Sequence, residues 1–407
     1  MQPYDVLETR DAATREAEDF ASLRALLAKA APLTPALAHQ LEGIDVAGLT
    51  GRAALAKVPV LRKPELQAMQ HSSPPFAGLT SVKPGQLKRL LMSPGPIFEP
   101  EGMGQDWWGA GRALHAAGFR EGDIILNTFG YHFTPGAFIM ESGASALGCA
   151  IIPAGPGQTE MQLAAIAAFS PNAYCGTPDF LKILIEKADE AGKPVTSLKK
   201  ALVSGAAFPQ SLQDWVKARG IEAYQAYATA DLGIIAYESA ARAGLIINEG
   251  LIVEIVQPGT GDPVPDGEVG EIVVTRLNAE YPLLRFGTGD LSKIIPGISP
   301  CGRMNKRLAG WMGRADQRTK VKGMFIDPAQ IAAIAKKHPG LGRMRLVVQR
   351  ENEADVMELK VECADPTPEL AAALGASLYA ITNLKGMVSL HAPDTLPKDG
   401  TVIADAR

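Results

Sequence analysis

The chain has 407 residues, 46% hydrophobic and 21% charged, and 44 acidic against 40 basic side chains leave a net charge of −4. That length predicts one large domain and at least one smaller one, the apolar content is that of a soluble globular protein, and the weak negative charge excludes a basic field for nucleic acid or an anionic membrane. Apolar stretches such as GLIINEGLIVEIV are interrupted by Asn and Glu well short of a membrane span, and the acidic start MQPYDVLETRDAATREAEDF lacks the basic lead and apolar core of a secretory signal. Cys149, Cys175, Cys301 and Cys363 form no CxxC pair, which argues against a zinc ribbon or disulfide framework and suits a reducing cytoplasm.

Between Glu18 and Leu41, helical apolar spacing is broken by Pro32 and Pro35, predicting two short packing helices. Residues 42–88 form a covering segment in which His71, like His39 before it, reads as a surface residue. LKRLLMSPGPIFEPEG, at 87–102, places Ser93 and Gly95 among prolines. GQDWWGAGRALHAAGFREGD predicts a helix ending at Gly118, with Trp107, Trp108 and His115 as packing residues. The strand DIILNTF, the helix FIMESGASALG and the strand CAIIPAG form a parallel unit, whose ligands would sit beyond the carboxyl ends of the strands. Tyr131, His132 and Phe133 stand at one such end, as the lining of an acyl or aryl pocket or, for His132, as a residue hydrogen-bonded within a loop.

Further strands at 173–176, in KKALVSGAAF and in IEAYQAYAT, alternate with helices, so the fold class is α/β with a largely parallel sheet. Loops 204–208 and 225–231 then converge on one edge of the crevice. Taken alone, ATAD predicts a strand-to-helix connection with Asp231 at the N-cap. Residues 245–276 alternate strands with PGTGDPVPDG turns, an antiparallel subdomain closing the large domain.

In YPLLRFGTGDL, the Gly-Thr-Gly turn is expected to stop a strand and deliver Asp290 at its exit. There the carboxylate caps a turn or grips a diol such as ribose. GRAD puts Arg314 and Asp316 in a polar link, with Asp316 as the hinge between a large domain, 1–313, and a small one, 314–407. The small domain reads as α+β, with strands of period two and the helices DPAQIAAIAKKHPG and PELAAALGASLYAITN.

In chain order, PAGPGQTEMQ, SGAAFP, QAYATADLG, LRFGTGDL and GRAD followed by KG resemble motifs of the adenylate-forming enzymes, and within them of the phenylacetate-CoA ligase family, over roughly residues 50–407. The resemblance implies a large N-terminal domain with mostly parallel sheets and an antiparallel subdomain, and a small mobile C-terminal domain. It implies an AMP-forming aryl- or acyl-CoA ligase that activates a small-molecule carboxylic acid, by analogy an aromatic one, with ATP and Mg²⁺ and passes the acyl group to CoA. A homodimer follows by the same analogy. By resemblance, Ser204, Gly205, Ala206 and Ala207 back the adenine, Tyr227 stacks on it, Gln225 and Arg314 join the nucleotide site, and Asp290 holds the ribose. Thr229 lies near the phosphates, Asp231 takes the magnesium-ligand position, Arg314 also serves catalysis, and Gly323 lines the CoA channel.

Two motifs depart from the family. Its phosphate loop, Ser-Ser-Gly-Thr-Thr-Gly-Lys-Pro, falls on residues 93–100, where Ser93, Gly95 and Pro100 match, Pro94 and Pro96 remove backbone donors, and Glu99 replaces the lysine. If Glu99 faces the phosphates, its charge opposes the pyrophosphate end of ATP. Thr401 stands where the family places its adenylating lysine, and Lys398, three residues earlier, is the candidate to substitute for it in catalysis, provided that the loop bends back. These departures keep a second reading open: a divergent relative that binds a nucleotide or acyl ligand without full ligase activity.

Overall fold

The computed structural model describes residues 2–407 apart from 316, 318, 327 and 398–400, so the expected hinge Asp316 and the candidate Lys398 lie outside the described residues. The chain divides into two compact units, Met1–Trp311 and Met312–Arg407. Among the described residues no helix is long and apolar enough to cross a membrane.

The first long helix runs Ala12–Ala30 and so begins ahead of the expected start. Asp11 caps it, its carboxylate accepting from the backbone N–H groups of Ala13 and Thr14 at 3.0 Å. Its first two turns carry few apolar residues, so the periodic stripe is visible in the sequence only from Phe20. Phe20, Leu23, Leu27 and Ala30 form the buried face and pack with Leu37, Leu55, Ile252 and Leu284. Each such side chain contributes about 1.5–3 kcal/mol on burial.

The main sheet has nine strands. Five are parallel and adjacent, in the order Ala150–Pro153, Ile124–Asn127, Ala173–Gly176, Lys200–Val203 and Glu222–Thr229. The helices Gly136–Ala146, Thr159–Phe169, Pro178–Glu190 and Gln210–Lys217 alternate with them in sequence. Because the five strands run the same way, the loops after Asn127, Gly176, Val203 and Thr229 open on one edge. From Thr229 the sheet continues antiparallel through Gly233–Tyr237, Leu245–Ile247, Arg307–Leu308 and Ile294–Ile295. Asp231 therefore sits in the turn of a β-hairpin, not at a helix N-cap. Gly233, at φ +77°, makes the reversal, and a Cβ there would lie 2.4 Å from the Trp108 carbonyl oxygen.

A second, four-stranded sheet is ordered Leu61–Arg62, Phe286–Ser292, Gly270–Arg276 and Leu251–Val256. Here the structure corrects the reading of Gly-Thr-Gly as a turn: the strand runs through it and through Asp290 to Ser292. Gly287 is needed for close approach, since a Cβ would meet Glu271 Oε1 at 2.7 Å, and the pairing shifts register between Glu271 and Val273. The glycines mark a crowded, irregular strand.

The small unit carries a four-stranded sheet in the order Met387–His391, Ala354–Glu362, Met344–Glu351 and Ile403–Asp405, together with the helices Pro328–Lys337 and Pro368–Thr382. Leu346 and Val348 alternate inward from one strand and Leu359 and Val361 from its neighbour, meeting Ile331, Ile334, Leu374 and Leu378. A separate hairpin pairs Thr319–Val321 with Met324–Ile326.

Candidate active site

Within the large unit, the residues that the sequence marks for a nucleotide stand at and near the strand edge. Ser204 is buried just past Lys200–Val203, and its hydroxyl donates to the Ala226 carbonyl at 2.7 Å, tying this loop to the next strand. Gly205, Ala206 and Ala207 follow it at the surface, with Gly205 at φ +78°. Gln225 is bound into the sheet through its backbone, accepting from the Glu238 N–H at 2.9 Å. Two residues on, the Tyr227 hydroxyl donates to Asp290 Oδ2 at 2.7 Å, and the Trp311 indole N–H donates to Oδ1 at 3.1 Å. One carboxylate, 8% exposed, thus holds two donors of the protein on its two oxygens, as it would hold the two hydroxyls of a diol.

Beyond Tyr227, the Thr229 hydroxyl accepts from the Leu232 N–H at 3.3 Å and stays half-buried. Asp231 has no exposed side-chain surface, and the Lys63 ammonium lies 2.8 Å from its Oδ2. That approach does not have hydrogen-bond alignment, and neither Asp231 oxygen has a hydrogen-bond partner among the described side chains. Lys63 opens the helix Lys63–Ser72. Gln70 of the same helix donates to the Phe98 carbonyl at 2.8 Å and accepts from its N–H at 2.9 Å.

Phe98 belongs to the segment expected to form a divergent phosphate loop, which folds as a hairpin pairing Arg89–Ser93 with Ile97–Glu101. Its tip, Pro94-Gly95-Pro96, contains a cis Gly95-Pro96 bond. Glu99 does not face outward: it is fully buried, and its carboxyl accepts from the Ser93 N–H at 3.0 Å and from the Ser93 hydroxyl. Burial, and then the neighbouring Asp231, push the Glu99 carboxyl up to about 8. It is therefore largely neutral at pH 7, and the charge opposition expected of it is correspondingly reduced. The Tyr281 hydroxyl is raised well above its ordinary value by burial and by the same two carboxyls.

Beside the hairpin tip, a groove of about 430 Å³ is lined by Met92, Ser93, Pro94, Gly95, Pro96 and Thr134. The loop before Thr134 holds the three expected pocket residues. The Tyr131 hydroxyl accepts from Asn127 Nδ2 at 3.0 Å and its ring meets Phe138 edge-on, while His132 and Phe133 are exposed. In the small unit, Gly323 turns its hairpin at φ +85°, Thr401 accepts at its carbonyl from Arg345 Nε at 3.0 Å, and Arg314 accepts at its carbonyl from the Gln317 N–H at 3.4 Å.

Sequence reasoning missed Lys63 and Trp311. Lys63 lies in a covering segment in the motif LRKPEL, where its only signal is a helix-opening Lys-Pro. Trp311 lies in a Gly-rich run just ahead of GRAD. Among the described residues, no group of three or more His, Cys, Asp or Glu side chains is arranged to hold a metal ion. Asp231 offers magnesium a carboxylate, but one without exposed surface and already neutralised by an ammonium.

Beside the ends of the parallel strands, a buried carboxylate of the second sheet meets an aromatic hydroxyl and an indole N–H, and residues 105–278 match the family described as AMP-binding enzyme. The chain is 31% identical over 340 residues to the phenylacetate-coenzyme A ligase of Thermus thermophilus, covering 80% of this chain and 75% of that one. It is 30% identical over 341 residues to the phenylacetate-coenzyme A ligase of Aromatoleum evansii, covering 80% and 76%. The chain belongs to the phenylacetate-coenzyme A ligase family. Its fold is also that of a 2-hydroxyisobutyryl-CoA ligase solved with 2-HIB-AMP and CoA, with a TM-score of 0.78 at 23% identity over 100% of this chain and 94% of that one.

Proposed function

We propose that this protein is an AMP-forming acid–CoA ligase. The carboxylate of an organic acid attacks the α-phosphorus of ATP and expels pyrophosphate; the CoA thiol, losing its proton, then attacks the acyl carbon and AMP leaves. The observation that carries this reading is the Asp290 carboxylate, set between Tyr227 and Trp311 beside the parallel strand ends. In it, Asp290 holds the ribose, Ser204 to Ala207 back the adenine, and Thr229 meets the phosphate. The acid lies in the groove beside Thr134, and the edge-on pair Tyr131 and Phe138, on either side of Thr134 in the chain, supports an aromatic group. The small domain pivots near Asp316 so that one pocket serves both steps, with Gly323 beside the thiol. Magnesium enters on the phosphates of ATP, and a homodimer is part of the same reading.

The hairpin favours one refinement. Pro94 and Pro96 take two N–H donors from the tip, and Ser93, which would otherwise meet a phosphate, is turned onto Glu99. The second half-reaction does not use that loop, so the protein should convert a preformed phenylacetyl-adenylate and CoA to thioester faster than it makes the adenylate from acid and ATP. Loss of one preorganised donor in the first step corresponds to about a hundredfold to a thousandfold in rate. Single-turnover assays of the two steps decide this. Pyrophosphate release as fast as thioester formation overturns the refinement, and absence of both activities, with AMP still bound, favours the non-adenylating relative.

A further inference from the structure

We propose that Lys63 is the cation that meets the phosphate of a bound adenylate, taking the place of a metal ion on Asp231; this rests on the nucleotide site proposed above. The pair is asymmetric: the Asp231 side chain has 0% exposed surface and that of Lys63 28%, with 2.8 Å between Nζ and Oδ2. The carboxylate holds the ammonium from within, and Lys63 is the member of the pair whose side chain has exposed surface. Magnesium prefers a near-octahedral oxygen shell that keeps several waters. Asp231 has no exposed surface on which to carry that shell, and a second cation at its carboxylate would be repelled by the first.

The position fits a phosphate. Tyr227, Thr229 and Asp231 follow one another out of a single strand, Tyr227 on Asp290 and Asp231 on Lys63. Along the chain, the Tyr227–Asp290 contact, Thr229 and the Asp231–Lys63 pair come in the order in which ribose and 5′-phosphate would follow one another. An ammonium has three N–H donors, more than one carboxylate oxygen can use. The helix that begins at Lys63 is fixed to the hairpin through Gln70 and Phe98, so the cation is supported by an element. The family's loop lysine is Glu99 here, and Lys63 supplies positive charge to the same locality from a different part of the chain.

The test is isothermal titration of the full-length protein with AMP and with adenosine, each in EDTA and in Mg²⁺. Wild type should bind AMP equally well in both buffers. Lys63→Gln should weaken AMP binding by about tenfold or more and leave adenosine binding unchanged, whereas Asp231→Asn, which releases the ammonium, should strengthen AMP binding. If Lys63→Gln fails to fold around an unpaired Asp231, the double variant Lys63→Gln/Asp231→Asn replaces it and should show the same loss relative to Asp231→Asn. AMP binding abolished by EDTA, a folded Lys63 variant that binds AMP like wild type, or wild type that binds adenosine as tightly as AMP each overturns the proposal alone. Wild type that binds neither overturns the nucleotide site itself, and the proposal with it.

Discussion

Asp290 Oδ2 accepts from Tyr227 and Oδ1 from Trp311, so a ribose held there, as proposed, would exchange with protein donors. Charge-assisted bonds of this kind contribute about 1.5–3 kcal/mol each, and Asp290→Ala should weaken AMP binding by about tenfold or more in a calorimetric titration. Trp311 is 40% exposed and should report the exchange: its fluorescence changes on adding AMP, and the change is absent from Trp311→Phe. Glu99 makes a different prediction. Its carboxyl keeps a proton up to about 8 in the fold, against 4.5 as an ordinary glutamate. Between those limits the folded chain binds more protons than the unfolded one, so this group's stabilising effect is full below about pH 4.5 and is lost as pH rises through about 8. Urea midpoints measured across that window should therefore fall less steeply with pH in Glu99→Gln, and parallel slopes in the two proteins would contradict the buried, protonated carboxyl.

At the scale of elements, the strand carrying Asp290 is held at its entry by Arg285. That residue is 2% exposed at φ +44°, and its guanidinium donates to Glu254 at 3.0 Å and to the carbonyls of Ala56, Val58 and Gly261 at 2.8, 2.6 and 2.7 Å. Three separate segments depend on one planar fork of donors, which a lysine cannot reproduce. Arg285→Met leaves the Glu254 carboxylate buried and unpaired and should destabilise the large unit by about 3–5 kcal/mol, read from denaturant unfolding. The loss should be similar in Arg285→Lys if the fork, and not the charge alone, is what binds these segments together.

Across the large unit, the N-terminal segment is joined to the far strands through Glu8, which is 1% exposed. Glu8 accepts from the Tyr237 hydroxyl at 2.5 Å and pairs with Arg303 at 3.0 Å. Nearby, Glu249 pairs with Arg10 at 2.6 Å and Arg15 at 3.3 Å. Glu8→Ala removes one member of a buried ion pair and should cost about 3–5 kcal/mol in unfolding free energy. Limited proteolysis should then cut first ahead of the Ala12–Ala30 helix; cleavage confined to other loops would place the weakness elsewhere.

The alternation of strands and helices between Ile124 and Thr229 is legible in the sequence because the central parallel strands are short, almost wholly buried apolar runs, while the helices between them are longer, so run length and bounding turn residues distinguish them. Asp290 and Tyr227 are legible as motif residues for a similar reason: LRFGTGDL and QAYATADLG are local signals. The path of the chain through those motifs is not local. Gly-Thr-Gly reads as a turn until the neighbouring strand shows that its small residues make room for Glu271, and ATAD reads as a helix start until Gly233–Tyr237 pairs back on it. Glu99 reads as an anion because nothing within its hairpin shows that the fold buries it and sets Asp231, more than a hundred residues later, beside it, which together keep it protonated. Beyond its helix-opening Lys-Pro, Lys63 carries no signal in sequence, since its partner is 168 positions away (63 to 231) and an ion pair leaves no periodic trace. Sequence by itself determined the layers and marked the Asp290 carboxylate, through burial pattern and local motif. Tertiary structure alone decided the charge state of Glu99 and the pairing of Lys63 with Asp231, because both depend on which distant groups share one buried space.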